Sequence, residues 1–192
     1  DLRMSRGLGD VYKRQAFFLS FSTRTAGFST YPLGNFSSAG LLVVIILMFI
    51  GASPGSTGGG IKTSTFFVLL QGIKSAATNK SEKAFHYAVP KNAFSKAAII
   101  TAIGAAIVLT GTYIMLVLQP ELSFIDVFFE VTSAFSTSGL STGITQQLGI
   151  GAKLLSIIIM YAGRLGPLTI VTVWYFSKGE RVSYPEGNIS VG

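Results

Sequence analysis

Cysteine is absent from the 192-residue chain, and histidine occurs once, at His86. Without a thiol, the chain forms neither a disulfide nor a thiolate metal site. A single imidazole leaves little room for a histidine triad or a histidine-rich metal centre. Acidic residues are also few, with eight aspartates and glutamates against fifteen lysines and arginines. The function must therefore rest on other chemical groups.

Charge of either sign is scarce. Charged residues make up 12% of the chain, hydrophobic residues make up 49%, and the mean hydropathy is +0.56. A soluble domain usually carries about 25% charged residues, so the composition indicates lipid as the solvent. Most basic residues outside the first fifteen positions flank apolar runs, as they do in membrane proteins. The net charge of +7 therefore predicts no nucleic-acid partner.

Long apolar runs predict an all-α membrane protein. Ala97–Leu118 has 22 uncharged positions, which span about 33 Å as a helix and cross a bilayer core. Leu154–Phe176 is interrupted by Arg164 and a Gly/Pro cluster. Ala39–Ile50 is too short to span alone, but continues through a glycine-rich stretch into Ile61–Ile73. The last of these predicts a spanning helix that is broken in the middle.

Two further apolar segments are too short to cross a membrane. Phe124–Phe135 and Ala16–Thr23 have the length of re-entrant helices, which enter and leave by the same face. Lysines are concentrated between Gln71 and Lys96, and Lys178 and Arg181 lie in the tail. The positive-inside rule therefore places that loop and the C-terminus in the cytoplasm.

The chain repeats itself at an offset of 112 residues without a gap. Thr25 and Gly27 align with Thr137 and Gly139, and Gly51 aligns with Gly163. A complete unit consists of a spanning helix, a short re-entrant helix, the phrase T-x-G-x-S-T and a second spanning helix. The chain contains the second unit complete and the first without its opening helix. The register fails over residues 1–15, which we interpret as a leader introduced by cloning, assembly or gene calling. The predicted parts are the leader 1–15, a third repeat 16–78 containing a loop at 51–60, a cytoplasmic loop 79–92, a fourth repeat 93–176 and a cytoplasmic tail 177–192.

The glycine-rich stretch "SPGSTGGGIKTST" (Ser53–Thr65) resembles a phosphate-binding loop only in part. Gly55 and Gly60 have the required spacing, but Ile61 separates the second glycine from Lys62. An aspartate at the end of an apolar strand, which would hold the metal of a nucleotide, is also missing. A membrane-embedded phosphotransferase is therefore only an alternative hypothesis.

The repeated phrase predicts an ion filter. A short helix followed by T-x-G between two spanning helices is how cation-channel filters are built, with carbonyl oxygens replacing the hydration shell of the ion. Glycine adopts backbone angles that turn successive carbonyls toward one axis. A plain turn or helix cap is the alternative for each glycine. The predicted K⁺ ligands are the backbone carbonyls of Thr25, Ala26, Gly27, Phe28, Thr137, Ser138, Gly139 and Leu140.

The motifs "RTAGFST", "MFIGASPGSTGGGIKTST", "SAFSTSGLSTGIT" and "MYAGRLGPLT" resemble the potassium-translocating subunits of the Ktr/Trk/HKT superfamily, and the Ktr type most of all. The resemblance extends from about Ala16 to the C-terminus. It implies four fused units of two spanning helices and a re-entrant helix around one pore. This chain would contribute the last unit and most of the third, and would be a fragment of the transporter.

The resemblance also implies a gate below the filter. Residues alone leave two interpretations of the glycine-rich loop, a gate with several conformations of similar energy or a static helix break, and the resemblance favours the gate. Arg164 aligns with Ala52 in the repeat, so its five donors could hold loop carbonyls in a closed state. Snorkelling of Arg164 to an interface is the alternative. The predicted gate residues are Gly55, Gly58, Gly59, Gly60 and Arg164.

Three other residues are predicted to support these sites. Glu130 lies in the second short helix and is expected to bond loop N–H groups or Arg24, or to add negative potential. Lys62 follows the loop on the cytoplasmic side and has no assigned role. Arg24 precedes the first filter phrase.

The expected function is K⁺ uptake across a bacterial cell membrane by a multi-pass protein that is not an enzyme. No covalent cofactor is expected, and Na⁺ as a modulator stays open. The resemblance implies a homodimer of the full-length protein and a cytoplasmic nucleotide-binding regulatory ring, with membrane lipid as the surroundings. A less selective Na⁺/K⁺ permeation pathway is the alternative within the superfamily, because "TAGFS" and "TSGLS" depart from the strict TVGYG phrase.

Overall fold

The computed structural model describes residues 2–78, 83–84, 87–88, 90 and 92–166. Their regular elements are helices and one antiparallel pair of two-residue strands, β1 (Lys83–Ala84) and β2 (Tyr87–Ala88). The 3₁₀ turns Leu33–Asn35 and Ile144–Gln146 follow the two filter phrases. The α-helices are α1 (Leu2–Ser22), α2 (Ser38–Phe49), α3 (Thr63–Thr78), α4 (Ala93–Leu118), α5 (Phe124–Ser136) and α6 (Ile150–Leu165).

Helix α4 is the one helix of the described part that is long and apolar enough to cross a membrane. It begins at Ala93, four residues before the predicted start of the apolar run. The hydroxyl of Thr101 donates to Ala97 O and that of Thr112 donates to Val108 O, each in the preceding turn and each at a distance of 2.8 Å. These threonines therefore leave no free hydroxyl proton on the apolar surface.

The predicted broken helix consists of α2 and α3 with a loop between them. Ser37 caps α2, because its hydroxyl accepts the N–H of Gly40 at 3.2 Å. The helix ends at Phe49, and the chain then pairs with itself: Gly51 N–H donates to Ile61 O over 2.8 Å, and Ile61 N–H donates to Phe49 O over 3.1 Å. Residues 51–60 therefore form a loop whose two ends are hydrogen-bonded at a short stem.

Helix α5 lies at the centre of the molecule. Its thirteen residues extend about 20 Å, which is too short to cross a bilayer. It packs against α2, α4 and α6, and both hydrophobic clusters of the described residues include its side chains. Phe129 and Phe135 are fully buried. The position of this short helix inside the bundle is what brings the filter phrase after it into the interior.

Helix α1 differs from the predicted eight-residue segment. The predicted re-entrant helix, Ala16–Thr23, is the C-terminal part of α1, which continues without a break through residues 2–15. No proline or glycine interrupts it between Asp10 and Ser22, so the backbone has no reason to end the helix at residue 15. The foreign origin of residues 1–15 stays a prediction. The second part of the run Leu154–Phe176 and the tail 177–192 lie outside the described residues.

Candidate functional site

The two predicted filter phrases meet in the fold. A Cβ atom built on Gly27 would lie 3.4 Å from Gly139 Cα and 2.6 Å from Ser138 O. A Cβ atom built on Gly139 would lie 3.5 Å from Gly27 Cα. The two glycines, 112 positions apart in the sequence, are therefore in direct backbone contact. Any side chain at Gly27 would collide with the opposite filter phrase.

The two phrases also share one backbone conformation. Thr25 and Thr137 have φ of 74° and 54°, and they are the only residues other than glycine with positive φ in the described part of the chain. Gly27 and Gly139 follow with φ of 73° and 83°. A β-branched residue in the left-handed region is uncommon and costs about 1–3 kcal/mol. The repeat in sequence is therefore a repeat in an unusual backbone shape.

In each phrase, backbone N–H groups donate hydrogen bonds, whereas the carbonyl oxygens at and just before the glycine accept none in the described part of the chain. The N–H groups of Ala26 and Gly27 donate to Ser22 O, and Ser138 N–H donates to Ser133 O. Within the described residues, nothing donates to the carbonyl oxygens of residues 25–27 or 137–139. Backbone carbonyls in the interior normally have a partner. Of these six residues only Ser138 is buried, while Ala26 and Gly139 are exposed in this chain, and carbonyls left without a protein donor are free to bind water or a cation.

Two of the predicted ligand carbonyls already accept a side-chain hydroxyl. Ser22, at the end of α1, donates its hydroxyl to Phe28 O, and the hydroxyl of Ser133 in α5 donates to Leu140 O at 2.6 Å. In both units a hydroxyl near the end of the preceding helix thus binds the carbonyl that follows the glycine. A carbonyl oxygen has a second lone pair, so the role of Phe28 and Leu140 as ion ligands stays a prediction.

Aligning the two repeat units with each other does not reveal these two serines. Ser22 and Ser133 are 111 residues apart, one residue out of the repeat register of 112, so aligning the units does not pair them. Their common role depends on which way each hydroxyl points. Ser138 adds a further contact, because its hydroxyl donates to the sulfur of Met48 in α2 at 3.0 Å.

The glycine-rich loop lies directly against both filter threonines. Gly59 N–H donates to Thr137 Oγ1 over 2.9 Å. A Cβ atom built on Gly58 would lie 2.6 Å from Thr25 Cγ2, and one built on Gly59 would lie 2.8 Å from Phe135 O. The loop therefore packs against both phrases, and Gly58 and Gly59 are needed because a side chain at either position would collide with them.

Two cationic side chains hold three consecutive carbonyls of this loop. Arg164 donates from Nη1 to Thr57 O. Lys62 donates from Nζ to Gly58 O over 2.6 Å and to Ser56 O over 3.1 Å. Both cations therefore bind the backbone of the loop, and Lys62, left without a role by the sequence, ties the loop to the start of α3. Arg164 is exposed in this chain and lies in the last turn of α6. The rest of the run Leu154–Phe176 lies outside the described residues, so the place of Arg164 within a membrane span stays a prediction.

Gly51 and Gly163 occupy equivalent tight contacts in the two units. A Cβ atom on Gly51 would lie 2.3 Å from Gly59 O, and one on Gly163 would lie 1.8 Å from Phe135 O. The first contact packs the loop against its own stem, and the second packs α6 against the end of α5. Gly55 and Gly60 have positive φ of 81° and 76°, which a residue with a side chain adopts only with strain.

Glu130 has a different partner from those predicted. Its Oε1 accepts the hydroxyl of Thr145 at 2.5 Å, and Thr145 Oγ1 lies 2.8 Å from Ser141 Oγ. Arg24 is exposed and forms no ion pair within the described residues. Glu130 is 9% exposed, and it lines a cavity of about 450 Å³ with Lys153, Thr137 and Gly139. The carboxylate therefore bonds the segment that follows the second phrase, and the described part of the chain contains no bond between Glu130 and Arg24. The predicted contribution of negative potential stays a prediction.

Comparison with family models matches residues 11–180 to TrkH, described as a cation transport protein. The chain belongs to this family. It is similar to the Ktr system potassium uptake protein B of Vibrio alginolyticus, at 38% identity over 92% of this chain and 39% of that protein. It is also similar to the potassium/sodium uptake protein NtpJ of Enterococcus hirae, at 35% identity over 92% of this chain and 41% of that protein.

A solved structure shares the fold. The crystal structure of the potassium transporter TrkH from Vibrio parahaemolyticus superposes with a TM-score of 0.70 at 20% identity, covering 84% of this chain and 37% of that one. The predicted family and the all-α fold class are confirmed. The named relatives are transporters, which also confirms the prediction that the chain is not an enzyme. The chain spans about two-fifths of the length of these relatives.

Proposed function

We propose that this chain is part of a longer transporter that takes up K⁺ across the bacterial cell membrane. The observation that carries the proposal is the meeting of Gly27 and Gly139 with the unpaired carbonyls of residues 25–27 and 137–139 around them. Carbonyl oxygens suit a hard monovalent cation that has lost its water. The relatives named as potassium uptake proteins support this cargo. Two phrases supply half of a ring, so the remaining ligands come from other units of the full-length protein.

The proposed gate is the loop of residues 51–60. Its supporting observations are the hydrogen bond from Gly59 to Thr137 and the binding of the Ser56, Thr57 and Gly58 carbonyls by Lys62 and Arg164. In this arrangement the loop lies against the filter and carries two positive charges close to the ion path. Both steric closure and electrostatic repulsion oppose cation passage. Opening then requires the loop to leave the filter, with Ile50 and Ile61 as its stem.

Selectivity between K⁺ and Na⁺ is the second part of the proposal. The carbonyls of Phe28 and Leu140 already accept serine hydroxyls, so the three carbonyls before each of them are the ones without a protein donor. Fewer aligned carbonyls discriminate less well between monovalent cations. A pathway that also admits Na⁺ is therefore the second candidate, and the relative named as a potassium/sodium uptake protein favours it. Measuring Rb⁺ uptake while the Na⁺ concentration is raised distinguishes a K⁺-selective pathway from one that also admits Na⁺.

The membrane arrangement and partners follow from family membership and the charge pattern. Helix α4 supplies a span, and the lysine-rich stretch before it is the proposed cytoplasmic side. We propose a homodimer of the full-length transporter with a nucleotide-binding ring on that side, and Na⁺ as a modulator. The orientation is tested by placing a cysteine at position 74 or at position 119, which lie toward opposite ends of α4. Only the cysteine at position 74 should be protected from a membrane-impermeant thiol reagent added outside the cell.

The decisive experiment is Rb⁺ uptake by the full-length transporter in a cell that lacks other potassium transport. Gly139→Ser should abolish uptake at normal expression, because the substitution strains the backbone at φ of 83° and adds a side chain against Gly27. Gly143→Ser is the matched control. It carries the same kind of backbone strain, at φ of 105°, but a Cβ atom there meets nothing within 4 Å. Unchanged uptake by Gly139→Ser would overturn the filter assignment.

A further inference from the structure

A groove of about 380 Å³ opens between α2, α3, α4 and α5. It is separate from the candidate filter, because none of residues 25–27 or 137–139 lines it. Its walls are almost entirely hydrocarbon and include Leu42, Ile46, Phe66 and Leu109. The volume lies in the range of about 300–1,000 Å³ that ligand sites occupy.

The groove offers no hydrogen-bond donor to a polar ligand. Thr101 and Thr132 are its only lining residues with polar side chains. Both hydroxyls donate to carbonyls of their own helices, Thr101 to Ala97 O and Thr132 to Phe128 O, each at a distance of 2.8 Å. Water needs several polar partners to be stable in a cavity, so this groove excludes water and favours an apolar occupant.

The groove lies at the middle of the candidate membrane span. It is lined by Thr101, Ala105, Val108 and Leu109 of α4, a helix that runs from Ala93 to Leu118. The centre of a spanning helix lies in the hydrocarbon core, where acyl chains are the solvent. Leu42, Ile46 and Leu109 are 47%, 51% and 60% exposed. The open side of the groove is therefore continuous with a surface suited to contact lipid tails.

We propose that an acyl chain of a membrane lipid occupies this groove. The proposal rests on the membrane location stated under the proposed function. An acyl chain matches the hydrocarbon walls, requires no hydrogen bond and is the molecule present at that depth. An empty groove would forfeit the dispersion contacts of its lining atoms, and the lipid restores them.

The occupant would touch the stem of the glycine-rich loop. Ile50 and Ile61 line the groove, and the same two residues form the bridge that closes the loop at residues 51–60. An acyl chain packed on them stabilises the paired stem, and hence the loop position beneath the filter. Lipid binding is in this way coupled to the state of the proposed gate.

Photolabelling tests the site directly. The full-length transporter, purified into lipid nanodiscs, is labelled with a phospholipid that carries a diazirine in the middle of one acyl chain, and labelled peptides are identified by mass spectrometry. We expect adducts on groove-lining positions of α2 and α4. Ala105→Phe should remove them, because it fills the groove. Ala106→Phe is the matched control: the neighbouring alanine is exposed and does not line the groove, so its labelling should be retained.

Three results would overturn the inference. The first is equal loss, or no loss, of groove adducts in the two phenylalanine variants. The second is wild-type labelling of the groove no stronger than labelling of exposed α4 positions. The third is a disulfide between Ala105→Cys and a cysteine placed in another part of the full-length protein, which would show that protein covers the groove. If Ala105→Phe does not fold, Ala105→Leu and the wild-type pattern give the same decision.

The labelling experiment does not depend on transport. Its result can therefore contradict the lipid site without contradicting the proposed function. Loss of Rb⁺ uptake in Gly139→Ser with intact groove labelling would support both proposals independently. Groove adducts that are absent while Gly139→Ser still abolishes uptake would overturn the lipid site alone.

Discussion

Gly59 donates its backbone N–H to the hydroxyl of Thr137, 78 positions further along the chain, over 2.9 Å. The bond joins the glycine-rich loop to Thr137, a residue of the proposed filter whose own backbone is left-handed. Loop position and filter shape are therefore coupled through one hydroxyl. A movement of the loop must break this bond or carry Thr137 with it.

Thr137→Val should uncouple the loop from the filter. Valine keeps the β-branched shape but leaves the Gly59 N–H without a partner, at a cost of about 1–3 kcal/mol for a buried donor. We expect a lower thermal midpoint of the purified full-length transporter and altered Rb⁺ uptake. Thr137→Ser retains the oxygen and should restore both. Identical behaviour of the valine and serine variants would show that the hydroxyl does not couple the two segments.

Gly27→Ala should damage the filter more severely than a comparable change elsewhere. The substitution adds left-handed strain of about 1–2 kcal/mol, and the new methyl group would lie 2.6 Å from Ser138 O. Gly143→Ala carries similar strain in open space. We therefore expect Gly27→Ala to abolish Rb⁺ uptake or its selectivity over Na⁺, and Gly143→Ala to preserve both. Parallel loss in the two variants would point to backbone strain alone.

Arg164→Gln should raise the rate of Rb⁺ uptake at normal expression. The variant removes the charge and the Nη1 donor that binds Thr57 O, so the loop is released from α6 and the repulsion of cations falls. Arg164→Lys should give an intermediate rate, since lysine keeps the charge but not the planar fork.

Lys62→Gln tests the same loop from its other side. The Lys62 ammonium binds the carbonyls of Ser56 and Gly58, so its loss should also increase uptake, and the double variant should exceed either single variant. ATP hydrolysis by the wild-type protein that disappears in Lys62→Ala would instead favour a nucleotide-binding loop.

Thr145→Val should destabilise the segment that follows the second filter phrase. It removes the hydroxyl that donates to Glu130 Oε1 and leaves a buried carboxylate with less compensation, which costs more than the loss of a neutral hydrogen bond. Glu130→Gln keeps the acceptor oxygen and should destabilise less. Thermal unfolding in detergent measures both. A larger loss in Glu130→Gln than in Thr145→Val would show that the charge of Glu130 acts elsewhere.

The sequence predicted the features that depend on local backbone demands. The 112-residue repeat, the glycines at 27 and 139 and the break after Phe49 were readable, because each requires a residue type at a fixed position. Helix lengths were less well predicted, as α1 shows. An apolar run marks where a helix can lie in lipid, but it does not mark where a charged segment continues the same helix.

The tertiary structure alone decided which groups meet. It directed the carbonyls of Phe28 and Leu140 to serines, gave Lys62 a place on the loop and gave Glu130 the hydroxyl of Thr145 in place of Arg24. These pairings join groups from 4 to 15 residues apart, and they depend on the direction of each side chain after packing. Repetition in the sequence determined that two glycine-centred turns exist, and packing around α5 determined that they face each other.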